Sequence, residues 1–213
     1  MKKTLLIGGF LVFKLAGTVT AAVILDENWN VNTAIPEGSP VGITSAQTFS
    51  DLSSSPITDV AVNLNISGGY NGDLYGYLTL QDANGNAATE ILLNYMGTTT
   101  PNPFGSAGSG MNVTLSDSGT VNGSIHNAAG VPTGTWQPDS ANALDGTFGG
   151  LTANGTWTLF LADMSVGGGT STVNSWGLDI NGAAAPEPAD YGLLAGAGLL
   201  VVSLAGQFRR KHV

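Results

Sequence analysis

Apolar and polar residues alternate along the middle of this chain in four clean runs. In Ile57–Ile66, the side chains of Val60, Val62, Leu64 and Ile66 fall on one face, with Ala61, Asn63 and Asn65 on the other. Leu74–Gln81 sets Leu74, Leu78 and Leu80 against Tyr75, Tyr77 and Thr79. Thr156–Ala162 groups Trp157, Leu159 and Leu161, and Val173–Ile180 ends with Trp176, Leu178 and Ile180 together. A period of two over such runs predicts half-buried β-strands. Glu90–Tyr95 and Asn112–Leu115 give weaker signals of the same kind. Gly68-Gly69, Asn71-Gly72, Asn84-Gly85, Asn154-Gly155 and Gly167-Gly168-Gly169 punctuate the runs as turns. Pro101–Gly110 and Thr133–Ala143 read as longer surface loops, and no convincing helical stripe occurs between residues 45 and 182. The pattern predicts an all-β fold, an antiparallel β-sandwich of two packed sheets.

Composition agrees with many short strands joined by tight turns. The chain has 213 residues, of which 31 are Gly and only 10% are charged, against roughly 25% charged in ordinary soluble domains. Gly and Asn tolerate positive φ and suit turns. Charge is segregated. All six basic residues stand near the ends: Lys2, Lys3, Lys14, Arg209, Arg210 and Lys211. The fifteen acids lie between them, thirteen within 22–185 and the other two at Glu187 and Asp190. With no Lys or Arg to grip phosphate, the middle of the chain is excluded as a nucleic-acid-binding surface. Its carboxylates suit divalent cations, or simply keep the surface soluble. The chain has no Cys, which excludes thiol catalysis and Cys-ligated zinc.

The two ends read as addresses. Residues 1–22 carry Lys2 and Lys3, an apolar run over Leu5–Phe13 interrupted afterwards by Lys14, and small residues around Ala21 and Ala22, the layout of a cleavable secretory signal. Residues 191–208 hold no charge; eighteen helical residues reach about 27 Å, close to the ~30 Å hydrocarbon core, and predict a transmembrane helix. Arg209, Arg210 and Lys211 follow and stay cytoplasmic by the positive-inside rule, leaving the domain outside. Immediately before the span stands Pro186-Glu187-Pro188. This order of triplet, apolar helix, basic cluster and chain end resembles the PEP-CTERM sorting signal of exopolysaccharide-producing Gram-negative bacteria. The resemblance implies an exosortase-type enzyme as partner, with Pro186, Glu187 and Pro188 as its substrate residues. It also implies an inner-membrane-anchored precursor that later reaches the cell surface or extracellular matrix.

The middle carries a second resemblance. Gly72-Asp73-Leu74, Asn154-Gly155-Thr156-Trp157-Thr158-Leu159 and Asn174-Ser175-Trp176 stand in order within residues 47–182. These segments look like the P domain (Homo B), the jelly-roll-like β-sandwich that follows the catalytic domain in proprotein convertases and many subtilisin-like proteases. Gly68-Gly69 stands where that family usually has a His, and Ser116 precedes Asp117 where a second acid is common. The expected organisation is therefore signal 1–22, N-terminal extension 23–46, P-domain-like sandwich 47–182 and sorting segment 183–213.

Candidate chemistry is sparse. After signal removal the His residues are His126 and His212, and no GxSxG elbow exists, so no serine triad is expected and the chain reads as non-enzymatic. Gly105–Gly110 lacks the Lys of a phosphate loop. Trp157 and Trp176 fall on inward-patterned strands, which leaves Trp136 as the one Trp of the sandwich suited to surface contact. Calcium takes six to eight oxygens, often from loop aspartates. Asp73, Asp117 and Asp163 lie at or near strand ends, in motifs that match acidic positions of the P domain, and are the expected calcium ligands against a plain turn-capping role. The expected function is a non-enzymatic surface or matrix protein with a binding sandwich. A detached accessory of a subtilisin-like protease and a carbohydrate-binding module are the alternatives, with a protease or exopolysaccharide as partner.

Overall fold

The computed structural model describes residues 21–140 and 143–183. Residues 1–20 of the signal, the Pro186-Glu187-Pro188 triplet, the 191–208 span and the Arg209-Arg210-Lys211 cluster lie outside the described residues. Among the described residues no helix is long and apolar enough to cross a membrane.

Nine strands form among them: β1 (Ala22–Ala34), β2 (Ser39–Phe49), β3 (Ile57–Ser67), β4 (Leu74–Asp82), β5 (Ala87–Asn94), β6 (Met111–Leu115), β7 (Thr133–Trp136), β8 (Gly155–Asp163) and β9 (Thr172–Gly182). One sheet has the order β1-β9-β3-β6-β7 and the other β2-β8-β4-β5. The chain stays within one sheet only at β4–β5 and β6–β7 and crosses between the sheets at every other step from β1 to β9, and β8 and β9 return to inner positions of the two sheets. This is a jelly-roll arrangement of two packed sheets. Pairing is antiparallel except for β7, which lies parallel to β6.

Side-chain parity builds the core. Val60, Val62, Leu64 and Ile66 of β3, Leu74, Leu78 and Leu80 of β4, and Trp157, Leu159 and Leu161 of β8 are all buried. In β9 the inward residues Val173 and Trp176 are three apart, which strict alternation forbids. A bulge opposite Asn65/Ile66 supplies the extra residue. Trp157 packs on Phe148 with ring centroids 5.1 Å apart and donates its indole N–H to the Ala153 carbonyl. Trp176 donates to the Ser45 hydroxyl of the other sheet at 2.9 Å, tying the layers together.

Four features differ from the sequence reading. Residues 23–46 supply β1 and most of β2, the edge strands of the two sheets. Most of their side chains are exposed, so no alternation marked them. Thr133–Trp136, read as loop, is β7; four residues, three of them exposed, are too few to show a period. A five-residue helix, α1 (Leu144–Phe148), buries Leu144 and Phe148 at little more than one turn, too short for a stripe. Trp136 is half-buried and packs against the core, in register with Leu115, rather than standing free in a loop.

Candidate functional site

The outer face of the four-stranded sheet is the most distinctive surface. Since Leu74, Leu78 and Leu80 go inward, β4 presents Tyr75, Tyr77, Thr79 and Gln81 outward. β8 adds Thr156, Thr158 and Phe160, β2 adds Thr44 and Thr48, and β5 adds Thr89 and Ile91 in register. None of these residues is a carboxylate or a base. The aromatic rings form a continuous path. Tyr77 and Phe160 stack with centroids 4.7 Å apart at 16°. Tyr75 lies 6.2 Å from Tyr77 and 6.2 Å from Tyr95. Tyr95 holds a left-handed backbone at φ 53, and its N–H donates to the Leu74 carbonyl at 3.0 Å. That conformation costs a bulky residue about 1–2 kcal/mol, and the fold retains it while directing the ring toward Tyr75. Beyond the rings, Thr79, Gln81, Thr89, Thr156 and Thr158 line a trough of about 360 Å³. The Thr48 and Thr156 hydroxyls meet at 3.0 Å beside it.

The opposite outer face has another character. Asn28, Asn63, Asn65, Asn112, Thr114 and Ser175 line a trough of about 400 Å³ on the five-stranded sheet. A carboxylate borders it, since Asn63 donates to Asp179 at 3.2 Å; further along the same sheet Asn181 donates to Asp59 at 2.8 Å. Burial, with Asp26 and Asp59 adding their charge, pushes the Asp179 carboxyl above its usual range despite the Asn63 hydrogen bond.

The three aspartates predicted to bind calcium part company. Asp73 and Asp163 come together where β4 begins and β8 ends. The Met164 N–H donates to the Asp73 carbonyl oxygen at 2.8 Å, and Ser165 bonds both side chains. Burial pushes both carboxyls up, and the Glu37 charge adds to this at each. Asp117 stands elsewhere. Its two oxygens accept from the backbone N–H groups of Leu144 and Asp145, 2.9 Å each, at the start of α1. Asp145 in turn accepts from the Val60 N–H at 2.9 Å. Its pKa is pushed up to about 6 by burial, opposed by the Val60 bond and reinforced by the charges of Asp117 and Asp59. Among the described residues no group of three or more His, Cys, Asp or Glu is placed to hold a metal ion.

His126 is better held than a free loop residue. It lies in a 3-10 turn over Ile125–Asn127 that Ser124 caps by accepting the His126 N–H. Nδ1 stands 3.0 Å from the Asp139 carboxylate and Nε2 2.9 Å from the Thr98 carbonyl. A serine triad needs a hydroxyl at the ring nitrogen opposite the acid; here a backbone carbonyl occupies that position. The pair therefore clamps three loops, and Gly97, Thr99, Asn102 and Ser106 line a neighbouring cleft of about 610 Å³. Glu90, absent from the sequence reading as a site, points inward opposite Leu78, is buried, and accepts from the Ser140 and Thr147 hydroxyls. Its only signal in the sequence was an acid sitting in phase with Leu92.

No family model matches this chain, and no curated protein matches it. Solved structures similar to this chain include two of one protease. The crystal structure of serine protease of Aeromonas sobria shares 16% identity over 76% of this chain and 27% of that chain, with a TM-score of 0.44. The crystal structure of Aeromonas sobria serine protease (ASP) and the chaperone (ORF2) complex gives 17%, 78%, 28% and 0.44. The chain spans little more than a quarter of the length of those chains.

Proposed function

We propose that this chain is an exported, non-enzymatic accessory module that binds neutral polysaccharide with the outer face of its four-stranded sheet. The observation that carries the reading is the uncharged aromatic path Tyr95–Tyr75–Tyr77–Phe160 running into a threonine-lined trough. Aromatic side chains offer a large apolar area with a polar tip, which matches the C–H faces and hydroxyls of sugar rings. Threonine hydroxyls both donate and accept, as sugar hydroxyls require. In a domain of thirteen carboxylates and no Lys or Arg, anionic polymers are repelled, and this face is one where a neutral one meets no charge. The signal at 1–22, the Pro186-Glu187-Pro188 triplet and the basic end support export, sorting by an exosortase-type enzyme and delivery to the cell surface or matrix.

A second reading makes the module a detached accessory of a subtilisin-like protease. The P-domain-like segments favour it. Gly72-Asp73-Leu74 leads into β4, Asn154–Leu159 leads into β8 and Asn174–Trp176 sits in β9, so all three belong to inner strands of the two sheets. Affinity electrophoresis of the mature protein separates the two. Retardation by hydroxyethylcellulose or galactomannan, and not by alginate, is expected. Free migration through every neutral polysaccharide, with retention on an immobilised subtilisin-like protease, would replace the first reading by the second.

A further inference from the structure

The alternation that builds the core also carries a carboxylate into it. Trp157, Leu159 and Leu161 of β8 point inward, and the same parity takes Asp163 inward at the end of the strand, opposite Leu74. It is fully buried, and its Oδ2 has no hydrogen-bond partner. Two further buried polar atoms among the described residues share this condition, the Asn71 Oδ1 and the Ser171 Oγ. Both belong to the same end of the sandwich, where β3 and β8 finish and β4 and β9 begin. Asn71 spends its amide N–H groups on the Gly110 and Gly130 carbonyls, at 2.9 and 3.2 Å, which leaves its oxygen unpartnered. Gly69, at φ 59, lets the chain pass so close to Ser171 that a Cβ there would stand 1.9 Å from the hydroxyl.

All three orphans are oxygens able to accept. A buried carboxylate oxygen without a partner is costly, and neighbouring Asp73 and Glu37 worsen the local balance of charge. The domain has no Lys or Arg to correct it. Glu37 is drawn to the same loop, its carboxylate accepting from the Gly167 N–H at 2.6 Å. A hard divalent cation answers each of these facts together. The oxygen-only donor set, without His or Cys, selects the calcium class over zinc. Two carboxylates are compatible with calcium, because amide, hydroxyl, carbonyl and water oxygens commonly complete its six to eight ligands.

We propose that a calcium ion binds at this end of the sandwich, with Asp163 and Asp73 as charged ligands and Asn71 and Ser171 as neutral ones. It joins the turn before β4 to the segment between β8 and β9. The site keeps two of the aspartates marked by the sequence, leaves Asp117 to α1, and adds two neutral residues.

Isothermal titration of the mature protein with calcium chloride, after EGTA treatment and dialysis, tests this. One ion per chain is expected, together with a rise of several degrees in melting temperature that sodium chloride at matched ionic strength does not reproduce. Asp163→Asn should lower calcium affinity at least tenfold while leaving the melting temperature in EGTA unchanged or raised, since it removes an orphaned charge. Ser171→Ala, a gentler change, should also weaken binding, and Asp117→Asn should leave it intact. No calcium heat in the wild type, equal shifts with sodium and calcium, or wild-type affinity in both Asp163→Asn and Ser171→Ala would overturn the proposal. If Asp163→Asn does not fold, the Ser171→Ala and Asp117→Asn pair decides.

Discussion

Tyr77 and Phe160 stand directly opposite each other on β4 and β8, and their rings stack 4.7 Å apart at 16° on the outer side of the sheet. Cross-strand aromatic pairs of this kind are worth about 0.5–1.5 kcal/mol beyond the area they cover. Trp157, one residue along the ladder from Thr158 but facing inward, is completely buried. The two positions should therefore behave differently. Tyr77→Ala is expected to lower stability by about 1 kcal/mol, whereas Trp157→Ala should cost about 3–5 kcal/mol. Urea denaturation of the two variants checks this. Comparable losses would mean that the outer pair is part of the structural core.

Asp145 makes stability depend on pH over a defined window. Burial first, and then the charges of Asp117 and Asp59, push its carboxyl from the ordinary aspartate range up to about 6. A raised carboxyl pKa contributes stability that is complete below the unfolded value and is lost as pH rises through the folded one. Asn at this position keeps an oxygen for the Val60 N–H. Relative to wild type, Asp145→Asn should gain melting temperature steadily between about pH 4 and pH 7. A difference that stays constant across that range would contradict the assignment.

His126 works in the opposite sense of charge. Both ring nitrogens face acceptors, so only the imidazolium donates to Asp139 and Thr98 at once. Burial disfavours that charge, but the Asp139 and Thr98 bonds and the Asp139 charge outweigh it and raise the pKa above 6.5. The clamp is therefore complete below about pH 6.5 and fades as pH rises through the folded value. The wild-type melting temperature should fall more than that of His126→Gln between about pH 6 and pH 8. Parallel curves for the two proteins would show that the ring charge contributes nothing to the loops.

The sandwich was legible wherever a strand buries one face. Val60 to Ile66, Leu74 to Leu80 and Trp157 to Leu161 alternate because water lies on one side and the core on the other. β1 was silent for the converse reason: it is an edge strand whose residues Asp26 to Asn30 face mostly solvent. The bulge at Asn174 shifts the phase of β9, so only its second half read cleanly. At the candidate sites, the sequence marked Tyr75 and Tyr77 as outward but gave no means of knowing that Phe160 and Tyr95 would join them from other strands. It marked Asp73 and Asp163, which local motifs carry to one end. It could not separate them from Asp117, because that separation depends on α1 arriving beneath Asp117 from 27 residues away.

Export and sorting predict a shortened mature chain. Intact-mass measurement of protein recovered from the cell surface or medium should place the new termini near Ala22 and near Pro186. A full-length chain recovered from the cytosol would contradict this part of the account.

The claim that the four-stranded face binds neutral polysaccharide is tested most directly by titrating the mature protein with a soluble neutral polysaccharide, comparing wild type with Tyr77→Ser/Phe160→Ser and with Asn65→Ala/Asn112→Ala on the opposite sheet. Wild type should bind saturably, the aromatic double variant should lose at least tenfold in affinity while its melting transition stays cooperative, and the asparagine variant should be unchanged. Undiminished binding by the folded aromatic variant, or loss only in the asparagine variant, would contradict it.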